Sequence, residues 1–107
     1  MSRALVVDDD LGFRLALAEV LRLEGYTTIT ASTCREALLE LAKDSVDLLF
    51  VDVNLPDGSG LDLLPRPASP TVIVTGEPSL TRERRLHEEI GRLRAEVGAL
   101  QSGGRRL

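Results

Sequence analysis

Asp8, Asp9 and Asp52 are the side chains whose types and placement best suit chemistry. Leu5-Val6-Val7 runs into Asp8-Asp9-Asp10, Leu48-Leu49-Phe50-Val51 into Asp52, and Val72-Ile73-Val74 into Thr75. If the three apolar runs are neighbouring parallel strands, these acids and the Thr75 hydroxyl meet at one sheet edge. Open α/β sheets bind ligands in that crevice, outside the carboxyl ends of the strands. Carboxylates about 4 Å apart repel by roughly 4 kcal/mol per pair at an effective dielectric near 20, so the cluster requires a cation. A hard divalent ion that keeps several waters, Mg²⁺ above all, suits a few oxygen ligands. Aspartates also follow strands simply because they cap helices and favour turns. That plainer reading suffices for one Asp, but not for polar groups at three strand ends in order.

The surrounding elements are those such a site needs. Residues 4–7 form a continuous apolar run, as in a strand buried on both faces. Phe13, Leu17, Val20 and Leu21 recur at helical spacing before Gly25, which predicts a helix over 11–24. Tyr26 to Thr30 is rich in β-branched residues, and Ser32-Thr33 followed by Glu36 has the pattern of an N-cap and its reciprocal acid. A second helix follows, with Ala37, Leu38, Leu41 and Ala42 directed inward, and then a third strand over Val46–Val51. Strands alternating with helices imply right-handed crossovers and a parallel sheet.

Beyond Asp52 the pattern weakens. Asn54-Leu55-Pro56-Asp57-Gly58-Ser59-Gly60 is dense in turn residues, and Leu61–Leu64 offers one helical turn before Pro65, Pro67 and Pro70. Thr71–Thr75 predicts a fourth strand, and no fifth is visible after Gly76-Glu77-Pro78.

From Thr81 to Gln101, Leu86, Ile90, Leu93, Val97 and Leu100 alternate spacings of four and three. Ile90 and Val97 then occupy a positions and Leu86, Leu93 and Leu100 d positions, the arrangement of a parallel two-stranded coiled coil. Glu89 at g and Arg94 at the following e offer an interchain ion pair. Each aliphatic residue buried there contributes about 1.5 to 3 kcal/mol, while Gly91 and Gly98 at outward b positions cost about 1 kcal/mol apiece. The heptad register favours a homodimer. The competing arrangement lays the same stripe on the chain's own sheet, where one face would otherwise lack cover.

Composition bounds the remaining possibilities. The chain has 107 residues, 43% of them apolar, and a net charge of -4. Those values suit one small domain and disfavour a DNA-binding surface over the whole molecule. No apolar stretch approaches the roughly 18 residues of a membrane span, and a cytoplasmic protein is expected. Cys34, without a second thiol, reads as structural.

Together, Val6-Val7-Asp8-Asp9-Asp10, Val51-Asp52-Val53-Asn54-Leu55-Pro56-Asp57-Gly58-Ser59-Gly60 and Val72-Ile73-Val74-Thr75-Gly76 closely resemble the receiver domain of two-component response regulators. The resemblance covers about residues 3–78. It implies a flavodoxin-like parallel sheet and a phosphoacceptor role for Asp52, supplied by a sensor histidine kinase. It further implies Mg²⁺ held by Asp8, Asp9, Asp52 and the backbone carbonyl of Asn54, with Thr75 as the switch hydroxyl. Beyond Asp52 no catalytic residue is expected, and the chain is read as a signalling module without an output domain, not as an enzyme. The division expected is a truncated receiver over 1–78, a coiled-coil helix over 79–102 and a flexible tail over 103–107. The fold class is thus α/β, a flavodoxin-like sheet lacking the last helix-strand-helix, with a long C-terminal helix. That helix resembles the dimerising linker of sigma-54-dependent (NtrC-type) regulators.

The departure from the family is specific. Its receivers continue into a fourth helix, a fifth strand bearing Lys-Pro and a fifth helix, whereas Lys43 is the only lysine of this chain. A charge-assisted hydrogen bond is worth about 1.5 to 3 kcal/mol, so its loss slows phosphorylation or weakens its readout by roughly one to two orders of magnitude. Arg82, Arg84 and Arg85 are the substitutes nearest in sequence. An alternative function is a degenerate, non-phosphorylated receiver acting as a dimeric interaction scaffold. A third is phosphodonation by His87, for which the His87-Glu88 dipeptide is slight support.

Overall fold

A computed structural model of the chain describes residues 2–60, 71–75 and 84–104. The elements are β1 (Arg3–Val7), α1 (Leu11–Leu23), β2 (Thr27–Ala31), α2 (Cys34–Lys43), β3 (Leu48–Asp52), β4 (Asn54–Leu55), β5 (Gly58–Ser59), β6 (Thr71–Thr75) and α3 (Ile90–Gly104), the last preceded by a π-turn over Arg85–Glu89. Four strands pair in parallel in the order β2-β1-β3-β6, and β4 and β5 form a separate antiparallel hairpin. The short third helix expected over Leu61–Leu64 lies outside the described residues.

The continuous apolar runs are strands because both their faces are covered. Ala4, Val6, Leu48, Phe50 and Ile73 pack with Phe13, Leu17 and Leu21 of α1, and with Leu93 and Val97 of α3. Leu5, Val7, Leu49 and Val51 point the other way, toward Ala31, Cys34, Ala37 and Leu55. The period-2 alternation of β1 and β3 therefore divides the core into two layers on opposite sides of one sheet.

Helix ends follow local chemistry. Asp10 accepts from the Phe13 amide at 3.2 Å and opens α1. At the other end the Gly25 amide bonds the Arg22 carbonyl and the Tyr26 amide bonds that of Leu21, with Gly25 at φ 97°. This is a Schellman closure, and its left-handed position suits glycine. Helix α2 is capped by Thr33, which accepts from the Glu36 amide, while the Glu36 carboxylate accepts from the Ser32 amide.

One expectation is corrected. In α2 the apolar stripe is narrower than expected: Ala37 is buried, but Leu38 is 55% exposed and Ala42 also faces solvent. Ten helical residues over one sheet bury only the positions facing it.

For the C-terminal helix, the structure has the arrangement on the chain's own core. Leu93 and Val97, assigned to an interchain seam, are fully buried within this chain's own core beside α1, and Ile90 packs at its margin. Leu86 and Leu100, at the ends of the stripe, stay partly exposed at 36% and 37%. Glu89 is itself buried and pairs with Arg92 at 3.5 Å along its own helix. Helix α3 completes, beside α1, the cover of this sheet face, and Leu93 and Val97 are buried there within one chain.

Candidate functional site

Strand register builds the site. Val7 pairs with Val51 and Val51 with Val74, so the residues that follow, Asp8, Asp52 and Thr75, fall in one row at the carboxyl edge of the sheet. Asp52 is itself the register partner of Thr75. One carboxylate oxygen each of Asp8, Asp9 and Asp52 lies within 4.8 Å of the others. Asp8, Asp52 and Thr75 are buried, whereas Asp9 is exposed.

Hydrogen bonds fix each group. Asp8 Oδ1 accepts from the Asp10 amide at 2.9 Å, and Asp8 Oδ2 accepts from the Thr75 hydroxyl at 3.4 Å. The Asp8 amide continues the sheet by donating to the Ala31 carbonyl at 3.0 Å. Asp52 Oδ1 accepts from the Asn54 amide at 3.0 Å, an Asx-turn that aims the carboxylate while the backbone bends into the β4–β5 hairpin. Asn54 thus lies against Asp52 through its backbone amide.

At 4.8 Å, each carboxylate pair repels by about 3 to 4 kcal/mol at an effective dielectric near 20. Single amide and hydroxyl donors carry partial charges and offset only part of this. The converging groups are hard oxygens, which fits Mg²⁺ and disfavours metals that seek imidazole or thiolate.

Of the cationic side chains weighed for this site, Lys43 and Arg84 are among the described residues. Lys43 closes α2 and pairs with Glu40 at 3.2 Å. Arg84 pairs with Glu88 at 3.2 Å on the exposed side of its own turn. Arg82 and the Arg85 side chain lie outside the described residues. His87 is exposed on the π-turn. Cys34 is buried, its thiol 3.6 Å from the Ser59 carbonyl, as a structural residue would be.

Three contributors escaped the sequence reading. Arg14 Nη1 donates to the Asp8 carbonyl at 2.7 Å. Its signal was its place one turn into α1, from which a helical side chain points back toward the amino end. Asp57, at the hairpin tip, accepts from the Cys34 amide at 2.7 Å and the Arg35 amide at 3.0 Å, so it ties that hairpin to the start of α2. These bonds, the one from Cys34 first, hold its carboxyl below the usual range. Gly60 is buried against the Asp52 backbone, and a Cβ there would collide with the Asp52 carbonyl oxygen. The Gly60 amide bonds the Val53 carbonyl at 2.9 Å, which closes the loop around Asp52.

Comparison with known proteins agrees with this geometry. Residues 4–86 match the response regulator receiver domain. The transcriptional regulatory protein CpxR of Escherichia coli K12 is 42% identical over 64 residues, which are 60% of this chain and 27% of CpxR. The sporulation initiation phosphotransferase F of Bacillus subtilis 168 is 38% identical over 64 residues, 60% of this chain and 52% of that protein. The chain thus spans about a quarter to a half of the length of these relatives. Among solved structures, a receiver domain from Methylobacillus flagellatus superposes with a TM-score of 0.64 at 26% identity, covering 78% of this chain and 77% of that one. The response regulator TrrA, solved in complex with the histidine kinase ThkA, represents a similar match: the TM-score is 0.64 at 34% identity, with 77% and 74% covered. With its acids, its strand order and most of its length accounted for in this way, the chain belongs to the response regulator receiver domain family.

Proposed function

We propose that this receiver is a phosphoacceptor in which Asp52 takes a phosphoryl group from the phosphohistidine of a sensor histidine kinase. The observation that carries the reading is the convergence of Asp8, Asp9 and Asp52 to within 4.8 Å at the carboxyl edge of the sheet. Asp8, Asp9, Asp52 and the Asn54 carbonyl are the groups that would hold Mg²⁺. When bound, the ion supplies charge neutralisation for the phosphoryl oxygens. In transfer, an Asp52 carboxylate oxygen forms a bond to phosphorus as the P–N bond breaks, and the leaving imidazole keeps the electron pair and takes a proton. The Asn54 amide orients the nucleophile, and the Thr75 hydroxyl, carried by the register partner of Asp52, reaches the acyl phosphate by turning away from Asp8 Oδ2.

A kinase as partner is in keeping with the TrrA–ThkA complex. No described helix is long and apolar enough to cross a membrane. Incubation with acetyl phosphate and Mg²⁺, read by intact-protein mass, tests the reading: the chain gains one phosphoryl group and Asp52→Asn gains none.

A second reading, a non-phosphorylated interaction scaffold, draws support from the position of Lys43. The only lysine of the chain is occupied by Glu40 on α2. A mass unchanged by acetyl phosphate, with Mg²⁺ present, favours that reading.

A further inference from the structure

We propose that Arg14 is a positioning residue for the acidic site, and that it sets the direction of Asp9 through the Asp8–Asp9 peptide. This rests on the Mg²⁺-dependent reading of the site.

The Asp8 side chain is held by the Asp10 amide and the Thr75 hydroxyl, and its amide by β2. Asp9 is different. It is exposed, lies beyond the last strand pairing of β1, and yet must bring a carboxylate oxygen to the same point as two buried acids. A peptide unit is planar, so the orientation of the Asp8 carbonyl fixes that of the Asp9 amide and the start of the Asp9 residue. Arg14 grips that carbonyl at 2.7 Å.

Arg14 is well placed for the task. Its own amide donates to the Asp10 carbonyl at 2.9 Å in the first turn of α1, so the guanidinium reaches back from a helix anchored to the core by Phe13 and Leu17. The loop of Asp8, Asp9 and Asp10 is closed from both ends, by the sheet on one side and by Arg14 on the other. A full positive charge beside this loop also opposes the mutual repulsion of the acids. Groups that orient the ligands of a metal site without touching the metal are commonly worth about ten- to a hundred-fold in affinity.

The test is isothermal titration of Mg²⁺ into the wild-type chain, Arg14→Ala, Arg14→Lys and Asp52→Asn, with the metal-free amide shifts of Asp9 and Asp10 followed in parallel. Arg14→Ala weakens Mg²⁺ binding roughly ten-fold and moves the Asp9 amide before any metal is added. Arg14→Lys, whose ammonium donates to the same carbonyl, recovers most of the affinity and keeps the fold should the alanine variant lose it. An alanine variant within about two-fold of wild type, or a lysine variant no better than alanine, overturns the proposal. A wild-type chain that takes up no Mg²⁺ overturns the metal reading itself, and the role of Arg14 falls with it.

Discussion

The Thr75 hydroxyl donates to Asp8 Oδ2 at 3.4 Å across the sheet, both groups buried, so the expected switch residue is bonded to an expected metal ligand. Removing a buried donor leaves its acceptor with one partner fewer, at a cost of about 1 to 3 kcal/mol, and the length of this bond places it at the lower end. Thr75→Val is therefore less stable by about 1 kcal/mol, whereas Thr75→Ser keeps the bond and stays near wild type. Urea unfolding of the three proteins measures it. A valine variant as stable as wild type would show that Asp8 does not depend on this hydroxyl.

Gly60 makes Asp52 possible. A Cβ at that position meets the carbonyl oxygen and carbon of Asp52 and the Val51 side chain, and the obstacle is largely backbone, which cannot rotate away. Overpacking a core commonly costs about 1 to 3 kcal/mol, and a backbone clash lies at or above the top of that range. Gly60→Ala lowers stability by at least about 3 kcal/mol and slows Asp52 phosphorylation more than a surface glycine change such as Gly91→Ala, where nothing lies within 4 Å. Thermal unfolding followed by acetyl phosphate labelling compares the two.

The site was legible because its determinants are short-range. Asp8, Asp52 and Thr75 each end an apolar strand, and parallel pairing in the observed register needs nothing more to align them. Gly25 and the Thr33 cap were equally plain, since helix ends are written in adjacent residues. Arg14 and Asp57 were not, for each acts on a backbone group that only tertiary structure brings near: Asp57 is 23 residues from the amide of Cys34. The heptad stripe left two packings open for a further reason. Spacings of four and three describe any helix with one apolar face, and they do not distinguish a partner helix from the chain's own sheet. That choice lay in the uncovered sheet face.

The Asp57 tether makes stability depend on pH in acid. Its folded-state pKa is lowered, chiefly by the Cys34 and Arg35 amides, so the bond's contribution is present above the unfolded carboxyl value near 3.9 and is lost as pH falls through the lower folded value. Asp57→Ala is less stable than wild type at pH 7, and the two converge below about pH 4. Paired urea titrations across this range check the sign. A gap that stays constant into acid would mean that the carboxylate charge contributes nothing to the joint between the hairpin and α2.

Leu93 and Leu100 separate the two packings of the C-terminal helix. In a coiled coil both are d positions in one seam, so truncating either costs a similar amount and the unfolding midpoint rises with protein concentration. In the observed packing Leu93 is fully buried and Leu100 is 37% exposed, so the two differ. Leu93→Ala then costs about 2 to 5 kcal/mol as a core cavity, and Leu100→Ala less than about 1 kcal/mol because much of its surface already meets water. The midpoint is expected to stay fixed over a hundred-fold range of concentration, since the helix completes a core within one chain. Equal costs at the two leucines, together with a concentration-dependent midpoint, would mean that α3 leaves the sheet to pair with a second copy.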